Sequence, residues 1–150
     1  MIRNSFNSNW NVGYHTSFTS MRPGTPEVIT LPHDAMIAKL RDPKAPSSEK
    51  KGYFPDGAYD YTKKFFVPAE YKNKRVTFEF EGVYTNAMVY INDSFAGQHP
   101  YGYSNFYIKA DQFLKYDAEN EIKVVVRSYD DSRWYTGTGI YRNTKMIVAN

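Results

Sequence analysis

The sequence predicts an all-β fold, an antiparallel β-sandwich of roughly eight strands and of jelly-roll type. Three observations predict it. Apolar and polar residues alternate with a period of two in one segment after another. Pro, Gly, Asn and Asp punctuate those segments at short intervals. Aromatic residues, which favour strands, make up 17% of the 150 positions, and no long helical period competes with the alternation.

Taken in chain order, residues 20–58 hold six of the eight prolines and form no single regular element. They read as a long ordered connection laid over the sandwich. In "YDYTKKFFVP" (59–68), Tyr61, Lys63, Phe65 and Val67 share one face, and Thr62, Lys64 and Phe66 the other. In "RVTFEFEGV" (75–83), Val76, Phe78 and Phe80 face one way, which assigns Glu79 and Glu81 to the solvent side. "NAMVYIN" (86–92) aligns Ala87, Val89 and Ile91. Asn92-Asp93 then reads as a tight hairpin turn, because both residue types tolerate left-handed backbone angles. "NFYIKA" (105–110) is a short strand, and "DQFLKY" (111–116) one helical turn with Asp111 as its cap. "NEIKVVVRSY" (120–129) alternates Ile122, Val124 and Val126 with Lys123, Val125 and Arg127. "NTKMIVA" (143–149) closes the series. No domain boundary interrupts residues 1–150, so a single domain is expected.

Composition removes several functions. There is no cysteine, which excludes disulfides, zinc–thiolate sites and cysteine nucleophiles. A net charge of +3, from 19 basic and 16 acidic residues, is mild and interspersed. Lys63-Lys64 and the run 72–75 read as solvated faces, so no nucleic-acid partner is expected. No apolar run approaches the ~18–20 residues of a membrane span, and "MIRNSFNSNW" lacks the apolar core of a signal peptide. The expectation is a cytoplasmic chain with no membrane partner.

Catalysis by the chain itself finds no support in its motifs. A glycosidase needs two carboxylates, roughly 5–5.5 Å apart for retention or about 6.5–9.5 Å for inversion, and no pair stands out among the 16 acids. Ser47-Ser48-Glu49-Lys50 matches the S-x-x-K pattern of acyl-transfer enzymes but stands in a polar loop with no partner motif. His15, His33 and His99 lack metal-ligand spacing. Asn92-Asp93-Ser94 fits the glycosylation pattern, and the turn explains it as well. No catalytic residue and no metal ligand is assigned. The segment "SRWYTGTGIYR" (132–142) is too polar for a core strand and too aromatic for an ordinary loop, and it has the composition of the edge of a sugar site.

Six stretches in order carry a family resemblance: "FNSNWNVG", "VITLPHDAMI", "GAYDYTKKFFVP", "VTFEFEGVYTNAMVYIND", "AGQHPYGYSNFYIKADQFL" and "SRWYTGTGIYR". Together they resemble the N-terminal, galactose-binding-like jelly-roll domain of glycoside hydrolase family 2. The forms "LPHD" and "RWYTGTGIYR" are most similar to its β-galactosidase branch. The chain departs from the pattern at Ala35, at Asn92-Asp93 and at Tyr101-Gly102-Tyr103. The resemblance implies a non-catalytic domain of a larger glycosidase hydrolysing β-galactosides. That domain shapes the active-site rim and supports an immunoglobulin-like domain and a catalytic TIM barrel, both absent here. The barrel supplies the two catalytic glutamates. The implied partners are a β-linked sugar and those domains, with a homo-oligomer left open. No cofactor belongs to this chain, and sodium or magnesium is implied only for the whole enzyme.

The same resemblance assigns a substrate-binding rim to Asp131, Arg133, Trp134 and Tyr135, completed by the missing domains. Asp131 would accept hydrogen bonds from sugar hydroxyls, or else serve as a turn acid beside Arg133. Arg133, Trp134 and Tyr135 would touch sugar or pack at the domain seam. His33-Asp34 reads as a structural pair holding the long connection. Two other roles stand beside this one: an autonomous carbohydrate-binding module with Tyr101, Tyr103 and Phe106 as its platform, and a protein-interaction sandwich.

Overall fold

The computed structural model describes residues 1–14, 27–33, 57–100, 102, 104–128 and 139–150. They form twelve strands: β1 (Ile2–Ser5), β2 (Trp10–Tyr14), β3 (Glu27–Ile29), β4 (Gly57–Val67), β5 (Arg75–Phe80), β6 (Val83–Tyr84), β7 (Ala87–Ile91), β8 (Ser94–His99), β9 (Phe106–Lys109), β10 (Ala118–Ser128), β11 (Gly139–Ile140) and β12 (Thr144–Ala149). Single 3₁₀ turns span Ala69–Tyr71 and Asp111–Phe113. The strand number exceeds the expected one because β3, β6 and β11 are only two or three residues long. Such bridges are too short to show a period in sequence.

The strands make a four-stranded sheet in the order β1-β12-β5-β9, a six-stranded sheet in the order β3-β2-β4-β10-β7-β8, and a two-stranded ribbon of β11 and β6. Every pairing is antiparallel. The long strands β4 and β10 pair over eleven residues, from Gly57–Ser128 to Val67–Ala118, and form the middle of the larger sheet. The chain is therefore the antiparallel jelly-roll sandwich that its alternation predicts.

The expected inner faces are the buried ones. Tyr61, Phe65 and Val67 of β4 meet Val76, Phe78 and Phe80 of β5 across the sandwich, with Val89, Ile91, Ile122 and Val124 alongside. Phe6, on the turn between β1 and β2, wedges between the sheets. Its ring lies 5.1 Å from Phe65 and 4.8 Å from Phe78, and those two rings are 5.5 Å apart. Trp10 is wholly buried and donates its indole N–H to the Phe6 carbonyl at 2.7 Å, which removes the cost of hiding that group.

Three expectations are corrected. Lys63 is not on a solvated face: it is buried, which its ammonium tolerates by donating to the Ser8 carbonyl at 2.7 Å. Asp111 opens its 3₁₀ turn without capping it; its carboxylate accepts the Val76 N–H and ties the turn to β5. Glu79 does not sit in solvent: it is only 6% exposed on the outer face of the smaller sheet. Tyr107 donates its hydroxyl to Glu79 Oε2 at 2.9 Å, Asn105 donates its amide to the same oxygen at 3.3 Å, and Arg3 Nη1 stands 4.0 Å from Oε1. The strand period gives the face of a residue, not what neighbouring strands lay over it.

Candidate functional site

Described members of several of the stretches that carry the resemblance, His33, Tyr61, Tyr84, Gly102 and Gly139–Tyr141, meet around β11. Ser128 pairs with Gly57 of β4, and the Arg127 N–H donates to the Thr85 carbonyl at 3.0 Å. On the far side of residues 129–138, Gly139 pairs with Tyr84 and Ile140 with Val83. The residues on either side of 129–138 are thus held by regular pairing. Around the second of these pairings, the His33 N–H donates to the Ile140 carbonyl at 2.8 Å, and His33 Nδ1 shares a 2.8 Å hydrogen bond with the Tyr61 hydroxyl. Gly139 has φ +143°, and a Cβ there would run into that same hydroxyl and the His33 carbonyl. Only glycine meets both demands at little cost. The Tyr84 ring covers Gly102, whose carbonyl accepts the Tyr141 hydroxyl. Five stretches far apart in sequence are locked together here by backbone and ring contacts.

Next to this end, on the outer face of the larger sheet, lies an open recess of about 400 Å³ lined by Asn86, Ala87, Met88, Gln98, Pro100 and Arg127. Thr85 Oγ1 donates to the Pro100 carbonyl at 2.9 Å and holds its rim. Arg127 Nε is sealed from solvent and has no hydrogen-bond partner. Sequence reading placed Arg127 only as an outward member of an alternating strand. Its position one residue before the last of β10, at the entry to 129–138, was the one signal available.

A second recess of about 250 Å³ lies at the hairpin end, around Asn92 and Asn120. Those amides are spent on structure. Asn92 Nδ2 donates to the Phe113 carbonyl and to Asn120 Oδ1, both at 2.8 Å, and Asn92 Oδ1 accepts the Glu121 N–H at 3.0 Å. The turn explanation of Asn92-Asp93-Ser94 therefore accounts for that triplet.

Of the residues expected at a sugar site, Asp131, Arg133, Trp134 and Tyr135 lie outside the described residues, as do Tyr101, Tyr103, Asp34 and the segment 47–50. Phe106 is described and is 7% exposed. Its ring stacks on Phe80 at 5.0 Å and on His99 at 4.4 Å, so it packs against the core and offers no surface platform. His99 Nε2 shares a hydrogen bond with Ser104 Oγ at 2.9 Å. Among the described residues, no three His, Asp or Glu side chains cluster to hold a metal ion, and no helix is long and apolar enough to cross a membrane.

Comparison with known proteins places this architecture. The family model described as "Glycosyl hydrolase 2 galactose-binding domain-like" matches residues 15–136. A β-galactosidase of Bacteroides ovatus is 36% identical over 94% of this chain, which covers 17% of that protein. A β-glucuronidase of Bacteroides fragilis is 26% identical over 96% of the chain and 20% of its own length. Among solved structures, a glycosyl hydrolase family 2 member from Bacteroides cellulosilyticus superposes with a TM-score of 0.88 at 30% identity, over all of this chain and 21% of that one. The chain thus spans about a fifth of the length of the relatives it matches. With a family match over most of its length and a jelly-roll sandwich, the chain belongs to glycosyl hydrolase family 2, as its galactose-binding-like domain.

Proposed function

We propose that this chain serves as the non-catalytic N-terminal domain of a larger family 2 enzyme that hydrolyses β-galactosides. It shapes the rim of the active site and braces the domains that follow. The carrying observation is the coverage: nearly the whole chain matches only 17–21% of its relatives, among them a β-galactosidase and a β-glucuronidase. The galactoside branch rests on the forms "LPHD" and "RWYTGTGIYR", since relatives named β-galactosidase and β-glucuronidase match at overlapping identities, 31–36% and 26–36%. In this reading the segment 129–138, carried between β10 and β11, faces the catalytic barrel. Asp131 accepts sugar hydroxyls there, with Arg133, Trp134 and Tyr135 beside it. Immunoglobulin-like and barrel domains are its partners, and any sodium or magnesium belongs to the complete enzyme.

The test is Asp131→Ala in the longer protein, assayed on a chromogenic β-galactoside and the matching β-glucuronide. A charged hydrogen bond to substrate contributes about 1.5–3 kcal/mol, so kcat/KM on the galactoside should fall roughly 10- to 150-fold with an unchanged melting temperature. A variant of unchanged kcat/KM, or a protein that prefers the glucuronide, would overturn the assignment.

A further inference from the structure

We draw no further inference here: the strongest candidate, the outer face of the larger sheet where Val28, Phe66 and Phe95 stand exposed on β3, β4 and β8, is an unpartnered apolar surface, and nothing in the structure shows what covers it.

Discussion

Two charged side chains are buried among the described residues, Lys63 and Glu79, and they are held in different ways. Lys63 points into the sandwich. Its ammonium donates to the Ser8 carbonyl at 2.7 Å and lies 4.1 Å from the centre of the Phe6 ring. Burial pushes its pKa below the usual 10.5. The unfolded chain therefore holds this proton more tightly than the fold does, and stability should rise with pH across the interval below 10.5. Lys63→Met should remove that rise. Denaturation midpoints of the two proteins compared between about pH 8 and 10.5 would show it. Tyr107 and Tyr116 pull the other way, because their raised pKa values favour the neutral form in the fold, but they do so equally in both proteins. Parallel pH curves would contradict the account. On the outer face, the hydrogen bond to Glu79 is the leading cause of the raised Tyr107 pKa. Glu79→Ala should bring that titration back towards the ordinary tyrosine value and cost about 1 kcal/mol of stability, read from tyrosine absorbance and denaturation. Lys63 was only half legible: alternation sets it on the face of Tyr61, Phe65 and Val67, but its charge read as solvated, and the Ser8 carbonyl that receives it lies 55 residues away. Glu79 was not legible, because Tyr107, Asn105 and Arg3 reach it from strands distant in the chain.

Elements depend on the same division between local and distant chemistry. The β7–β8 turn was readable because Asn92 and Asp93 are residues that accept positive φ, and they adopt +50° and +67°. What Asn92 holds beyond its own turn was not readable, for Phe113, Asn120 and Glu121 lie 21 to 29 residues further on. Asn92→Gly keeps the backbone angle and loses those bonds, whereas Asn92→Ala loses both. The expected losses are about 1 kcal/mol for glycine and about 2 kcal/mol for alanine by chemical denaturation. Equal and negligible losses would show that the side chain does nothing outside the turn. At the opposite end, Gly139→Ala should destabilise by about 1–3 kcal/mol, through its φ of +143° and the clash with Tyr61 and His33. Loss of the His33–Tyr61 hydrogen bond, seen in the imidazole NMR signals, should accompany it. The β6–β11 ribbon that Gly139 opens was invisible to periodicity at two residues per strand.

For the whole molecule, the sandwich followed from alternation, while the site followed only from resemblance. Periodicity finds faces, and it has no term for a segment such as 129–138, whose proposed role is toward another domain. The structure shows what flanks that segment: Ser128 and Gly139 are both paired into the sandwich, and His33, Tyr61, Tyr84, Gly102 and Tyr141 pack around the second of them. Those residues form a platform, and no acid–base pair was legible among them. The measurement that tests the central claim most directly is turnover of a chromogenic β-galactoside by the purified 150-residue chain. The account predicts none above the uncatalysed rate, at any enzyme concentration. Hydrolysis that rises in proportion to pure protein would contradict it and would require a carboxylate pair within this sandwich itself.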